Sequence, residues 1–204
     1  MKRKLYLLLV ILVAASLALS ACGTPKPTFK GTVTATFVQE PDNLNPMYTD
    51  MYFSAILREL YLKPAWNFDD KANPVPVLVK EIPSAANGGL SADGKTITLK
   101  LREDIKWSDG EKLTSADFVF TYDMIMSDKN VPLSRYPYED FVASVTAPDD
   151  YTVVVTFTEP FAAWLTRIFT YILPKHVLQP VFDADGTLDN APWNRNPTVT
   201  LGPF

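Results

Sequence analysis

From residue 31 onward the hydrophobic positions change period several times, and each change marks an element. Val33, Ala35 and Phe37 alternate with Thr32, Thr34 and Thr36, the pattern of a strand with one buried face. Glu40-Pro41-Asp42-Asn43-Leu44-Asn45-Pro46 ends that strand, because prolines and Asx residues favour turns. Phe53, Ile56, Leu57, Leu60 and Tyr61 then recur at helical spacing, which predicts a helix capped by Thr49 or Asp50. Lys63 to Pro83 is punctuated by prolines and reads as extended chain. Ala92-Asp93-Gly94-Lys95 signals a hairpin turn, leading into a strand with Ile97, Leu99 and Leu101 on one face. The chain turns again at Lys106-Trp107-Ser108-Asp109-Gly110. A helix follows from Thr114, whose hydroxyl can cap while Asp117 sits three residues on. Its predicted buried stripe is Phe118, Tyr122, Ile125 and Met126. Pro148-Asp149-Asp150 predicts a second hairpin turn, with Val153, Val155 and Phe157 sharing a face of the next strand. Pro160 suits the first turn of a helix containing Trp164, Leu165 and Ile168. Asp183 to Pro197 is turn-rich and reads as a loop. Strands and helices alternate without regular βαβ spacing, so the predicted class is α/β in the mixed α+β sense.

The N-terminus has a different character. Lys2, Arg3 and Lys4 precede an apolar run from Leu5 to Leu19, followed by Ser20, Ala21 and Cys22. A basic start, a short apolar core and small residues form a secretory signal. The run is shorter than the roughly 20 residues that a membrane helix needs. Leu19-Ser20-Ala21-Cys22 resembles the bacterial lipobox, in which the thiol is lipidated and becomes the mature N-terminus. Residues 1–21 are then a lipoprotein signal peptide, and residues 22–30 a proline-stiffened tether. Acyl chains on Cys22 would anchor the protein to a cell membrane on its extracytoplasmic face, in the periplasm or at the cell surface. Cys22 is the one cysteine, so no intramolecular disulfide is available. Loss of residues 1–21 would leave 16 basic residues against 23 acidic ones, a net charge of −7. That balance argues against a nucleic-acid partner and against a polybasic grip on lipid.

Three motifs could carry chemistry, and each has a plainer reading. Trp107-Ser108-Asp109-Gly110 reads as a structural turn, the indole packing across the hairpin and Gly110 supplying a positive φ. His176 is the one histidine, and no second histidine or free cysteine can complete a zinc shell with it. Counting residue types leaves a Ser/His/Asp triad open, but no G-x-S-x-G elbow is present, so His176 reads as a helix-start or surface residue. Asp183-Ala184-Asp185-Gly186-Thr187-Leu188-Asp189 has its glycine too early for a calcium loop and no closing glutamate. A solvated turn is the expectation there, with no metal.

The run from Leu90 to Val119, with Leu101-Arg102-Glu103-Asp104-Ile105-Lys106-Trp107-Ser108-Asp109-Gly110 at its centre, resembles a family signature. Residues 40–46, 172–178 and 201–204 agree with it in order. Together they resemble the family 5 extracellular solute-binding proteins, the oligopeptide and dipeptide receptors of ABC importers. Two positions depart from the family pattern: Thr200-Leu201 where glycine and threonine are usual, and Tyr61-Leu62-Lys63-Pro64 in place of "YEGL". The resemblance implies a type II periplasmic-binding-protein-like fold in a chain more than twice as long, so this sequence is expected to be an incomplete, N-terminal fragment. Residues 31–61 would begin lobe I, residues 62–196 would form the inserted lobe II, and residues 197–204 would return to lobe I. The implied function is a substrate-binding lipoprotein that delivers peptides or peptide-like solutes to ABC permease and ATPase subunits. It would act as a monomer, without cofactor or catalytic group. A solute-sensing receptor is the alternative, and a surface hydrolase dependent on His176 a weaker one. The resemblance also implies ligand contacts at Glu40, Pro41, Asp42 and Asn43, and at an aromatic residue near Tyr136 or Tyr138. With further lobes missing, the expected core lies within 62–196, and the helix of residues 53–61 has little to pack against.

Overall fold

Two short antiparallel sheets and five helices follow the predicted turns in a computed structural model that describes Thr34 and residues 36–202. In chain order they are α1 (Tyr52–Tyr61), β1 (Trp66–Phe68), β2 (Pro74–Pro76), β3 (Thr96–Lys100), α2 (Ser115–Met126), α3 (Tyr138–Phe141), β4 (Val142–Asp149), β5 (Thr152–Phe157), α4 (Trp164–Arg167) and α5 (Lys175–Asp185). A 3-10 turn at Pro192–Asn194 precedes the final segment. The expected signal peptide, Cys22 and the expected tether lie outside the described residues, as does most of the predicted first strand. Thr34, Thr36 and Phe37 carry no regular structure. Among the described residues, no helix is long and apolar enough to cross a membrane.

The larger sheet has the order β3-β5-β4, all antiparallel. Its register sets Ile97 opposite Val155 and Leu99 opposite Val153, and cross-strand partners share a face. All four are fully buried, and Phe157 continues the same face. Helix α2 packs on β4 and β5 from one side and meets α5 on another. Coverage on two sides explains why its buried set is Phe118, Phe120, Thr121, Met124 and Ile125, while Tyr122 and Met126 are half-buried. The single stripe read from the sequence was too narrow.

Helix α2 starts as expected: the Thr114 N–H donates to Asp117 Oδ2 at 2.9 Å, one half of a capping box. Asp117 does more than cap its own helix. Its other oxygen accepts the Lys175 N–H at 3.0 Å, at the first residue of α5. Ser115 binds the β4–β5 turn through its N–H to Asp150 O and its hydroxyl to Asp149 O. The Thr121 hydroxyl donates to Asp117 O and accepts the Leu173 N–H. The first turns of two helices, the hairpin turn and the approach to α5 therefore converge on a few polar side chains.

Several local expectations need correction. Lys63–Pro83 is not simply extended, because β1 and β2 form a hairpin closed by Asp69, whose carboxylate accepts the Lys71 and Asn73 N–H groups. Helix α4 is a single turn that begins at Trp164, leaving Pro160 outside it. Asp183 and Asp185 belong to the last turn of α5, which Gly186 ends in a left-handed conformation, so the loop starts later than predicted. Met51, not Thr49 or Asp50, caps α1, although the Thr49 hydroxyl does accept the Met51 N–H at 3.1 Å.

The larger correction concerns residues 37–61, which are not poorly supported. Phe37 onward forms one unit. The Leu44 N–H donates to Asn194 O at 2.7 Å, and the fully buried Asn45 side chain donates to the Asn194 carboxamide oxygen at 2.9 Å. Asn194 in turn donates to Leu188 O and Asp189 O. At the far end of α1, Tyr61 O accepts the Leu201 and Gly202 N–H groups. A Cβ at Gly202 would lie 1.7 Å from Leu60 O, so only glycine permits this approach. Part of the α1 stripe stays uncovered, with Ile56 and Leu60 exposed.

Asp117 supplies the test of this architecture. It is 4% exposed, and burial raises its pKa above the ordinary 3.8 despite the two N–H donors. Asp117→Ala strands both amides and is expected to cost about 2–4 kcal/mol in urea unfolding. A raised folded pKa adds stability below about 3.8 that is lost as pH rises through the folded value. The variant's deficit should therefore be larger in acid than at neutral pH.

Candidate functional site

Consecutive Asx side chains shape the turn before α1. Asp42 Oδ1 accepts the Asn43 N–H, Asn43 Oδ1 accepts the Asn45 N–H, and Asn45 Oδ1 accepts the Met47 N–H. Asp42 also accepts the Thr49 hydroxyl at 2.6 Å and the Ser54 hydroxyl at 3.2 Å. The turn is thereby folded onto the first turn of α1. Across from it, the chain after α2 is held by Arg135, which donates to the Ile125, Ser127 and Asn130 carbonyls. The Leu133 N–H closes the gap by donating to Met47 O at 2.7 Å.

Between these walls lies a cavity of about 380 Å³. The turn contributes Leu44, Thr49 and Asp50, α1 contributes Ser54, Arg58 and Tyr61, and the facing loop contributes Leu133 and Tyr136. Thr170 and Tyr171 complete it. Their backbone follows Phe169, a non-glycine residue at φ 48°, a conformation that costs about 1–3 kcal/mol. Phe169 is held there because its N–H donates to the Tyr138 hydroxyl at 2.8 Å and its carbonyl accepts the Ala65 N–H at 3.0 Å.

The chemistry of the walls is that of recognition. The Tyr61 hydroxyl donates to Leu44 O, and burial pushes its pKa up to about 12, with Arg58 opposing. Burial raises Tyr171 as well. Asp42 is held below the ordinary carboxylate range, chiefly by the Thr49 hydroxyl, with burial opposing. A carboxylate of lowered pKa is a weak base, so Asp42 orients the Thr49 and Ser54 hydroxyls without activating them as nucleophiles. Arg58 and Asp50 are the charged residues of the lining.

The sequence-predicted contacts divide. Tyr136, 49% exposed, lines the cavity. Tyr138 does not: it is 6% exposed, packed edge-on against Tyr122, and bonded to Phe169. Glu40, Pro41, Asp42 and Asn43 form the outer side of the turn, where Asp42 acts from behind the wall. His176 is the second residue of α5; its Nε2 pairs with Asp109 Oδ2 at 2.9 Å, and its ring packs edge-on against Trp107. Among the described residues no serine hydroxyl bonds its other nitrogen, and no cluster of three or more His, Cys, Asp or Glu could hold a metal. The motif around Trp107 is clasped from elsewhere, as Ser108 and Thr200 exchange two hydrogen bonds.

The model of the bacterial extracellular solute-binding proteins, family 5 Middle, matches residues 73–204. The chain belongs to this family. A putative ABC transporter peptide-binding protein of Brucella ovis is 32% identical over 203 residues, covering 93% of this chain and 36% of that relative. The oligopeptide-binding protein AppA of Bacillus subtilis is 28% identical, covering 97% of this chain and 37% of its own length. The structure of AppA in complex with a nonapeptide superposes with a TM-score of 0.67 at 26% identity, over 82% of this chain and 32% of that one. NikZ of Campylobacter jejuni, in complex with Ni(L-His), gives 0.66 at 27% identity, over 81% and 30%. The chain thus spans about a third of the length of the curated relatives it matches. The mixed α+β class and the solute-binding-protein fold expected from the sequence both hold. The family it belongs to is described as extracellular and solute-binding.

For a family 5 chain, the residues missed by sequence reasoning are Thr49, Ser54, Arg58 and Tyr171. A signal did exist in α1, because Ser54 and Arg58 are spaced i, i+4 and share a face apart from the apolar stripe. Tyr171 carried none. Tyr138 gives the test of its assignment. Tyr138→Phe removes the acceptor of the Phe169 N–H and should cost about 1–2 kcal/mol in thermal or urea unfolding. A variant as stable as wild type would remove Tyr138 from the support of Phe169.

Proposed function

We propose that this chain carries one side of the ligand cavity of a substrate-binding lipoprotein of an ABC importer. The protein captures peptides or peptide-like solutes and passes them to permease and ATPase subunits, as a monomer and without catalysis or cofactor. The carrying observation is the cavity of about 380 Å³ between α1 and the Tyr136 loop, in a family whose matched relatives are named as peptide-binding proteins. Residues 31–61 and 197–204 belong to a first lobe, and residues 62–196 to a second. The bonds from Leu201 and Gly202 to Tyr61 support that division, since they join its two first-lobe segments. Ligand contacts come from Tyr136, and the Glu40–Asn43 turn contributes indirectly, with Asp42 fixing the hydroxyls of Thr49 and Ser54 in the cavity wall.

Calorimetry on the full-length gene product with a library of short peptides should show micromolar or tighter binding. Tyr136→Ala should weaken it about tenfold by removing one aromatic wall, with little change in melting temperature because the ring is half exposed. No binding of any peptide would overturn the reading.

The anchor rests on the lipobox-like Leu19-Ser20-Ala21-Cys22. Metabolic labelling with an acyl-chain analogue should mark the wild type and spare Cys22→Ser, which should be released as soluble protein. Retention of Cys22→Ser in the membrane with its N-terminus uncleaved would exclude lipidation.

A further inference from the structure

The cavity lining contains an arginine that makes no hydrogen bond among the described residues. Arg102 is bound to Asp104 through two nitrogens, and Arg135 is committed to three backbone carbonyls. Arg167 and Arg195 are exposed. Arg58 differs from both groups. Its side chain is 28% exposed, yet its recorded partner is the neighbouring Glu59 at 3.9 Å, too long for a hydrogen bond. A guanidinium loses water when it is enclosed, and a fold that needs it for stability gives it acceptors in exchange. Arg58 lines the cavity with donors that meet no acceptor among the described residues, and its charge acts on Tyr61 and Tyr171 beside it.

We propose that Arg58 is the anchor for the carboxylate of the ligand, and that the cavity selects short zwitterions, such as a peptide of two or three residues with a free C-terminus. The proposal rests on the peptide-binding reading above and specifies it. A planar guanidinium with open donors matches a carboxylate in a two-pronged arrangement. Asp50 is the one other charged residue that this chain contributes to the lining, and an ammonium group on the ligand would complement it. Asp50 precedes Arg58 by eight positions, most of them helical. At 1.5 Å per helical residue their α-carbons are separated by roughly 12 Å along the helix direction. Helical side chains lean toward the N-terminus, which shortens that gap from the Arg58 side. Two or three extended residues span about 7–10 Å, which fits what remains. Thr49, Ser54 and Tyr136 line the same cavity.

The experiment is calorimetry of the full-length gene product with trialanine and with trialanine amide, on wild type, Arg58→Met and Arg58→Lys. Methionine keeps much of the apolar stem of arginine. Wild type should bind the free acid at least about tenfold more tightly than the amide. Arg58→Met should bind the acid about as weakly as the amide, with its melting temperature close to wild type because no internal hydrogen bond is lost. Arg58→Lys should keep part of the discrimination, since it restores the charge but not the fork. If Arg58→Met still prefers the acid, or if wild type binds both peptides equally, the carboxylate assignment is overturned and the peptide reading stands. If wild type binds neither, the short-zwitterion proposal falls, and the peptide reading falls only if the whole peptide library also fails to bind.

Discussion

A carboxylate buried as deeply as Asp117 is costly unless the fold surrounds it with donors, and here the donors are the first turns of two helices. Unpaired N–H groups at a helix start need acceptors, and the partial positive charge there favours an anion. One side chain meets this need for α2 through Thr114 and for α5 through Lys175. The Trp107 indole N–H, short of full hydrogen-bond geometry, still favours the charged form. These contributions offset desolvation only in part, since the pKa remains raised. The arrangement is therefore better understood as fixing geometry than as adding stability. It sets the angle between two helices that share no loop, and with Ser115 it ties both to the β4–β5 turn.

What Asp117 does for the sheet side, a second polar centre does for the cavity side. Asn45 and Asn194 lie 149 positions apart and bond each other in a fully buried setting. Asn194 also braces Leu188 and Asp189, while Asp189 accepts the Val131 N–H at the start of the Tyr136 loop. Both walls of the cavity thus hang from one small network. Such a network loses more when half broken than pairwise bonds suggest, because each orphaned group stays buried. The strained Phe169 completes the picture, since its conformation aims Thr170 and Tyr171 and is held by partners from α3 and from the segment before β1.

How far the sequence revealed this depends on whether each cause is local. The Asp93-Gly94 and Asp149-Asp150 turns, the strands beside them and the Thr114/Asp117 cap were legible, because their signals lie within four residues. The hairpin of β1 and β2 was hidden because Pro74 and Pro76 read as breakers, whereas the side chain that closes the hairpin is Asp69. The buried face of α2 was misjudged because periodicity reports one face, and α5 covers another. The support of α1 was illegible for a stronger reason. It comes from backbone bonds at Leu44, Tyr61 and Gly202, and backbone bonds leave little trace in residue type beyond the glycine.

Tyr136 and Tyr138 show the same limit at the scale of two residues. Both are tyrosines in a proline-containing turn, and sequence alone offered no means to rank them. The difference lies in what each hydroxyl meets. Tyr138 begins α3 with its ring turned into the aromatic cluster of Tyr122 and Phe169, so its hydroxyl is spent on a backbone N–H. Tyr136 precedes the helix, meets Phe141 edge-on, and is half exposed where it lines the cavity. The same contrast separates the arginines, with Arg135 consumed by carbonyls and Arg58 left uncommitted. The Thr49, Ser54 and Tyr61 hydroxyls of the cavity wall are filled as well, so among the lining residues it is Arg58 whose donors meet no acceptor among the described residues. Filled valence, not residue type, sets Arg135 apart from Arg58 and Tyr138 apart from Tyr136, a difference that lies in side-chain positions and not in the sequence.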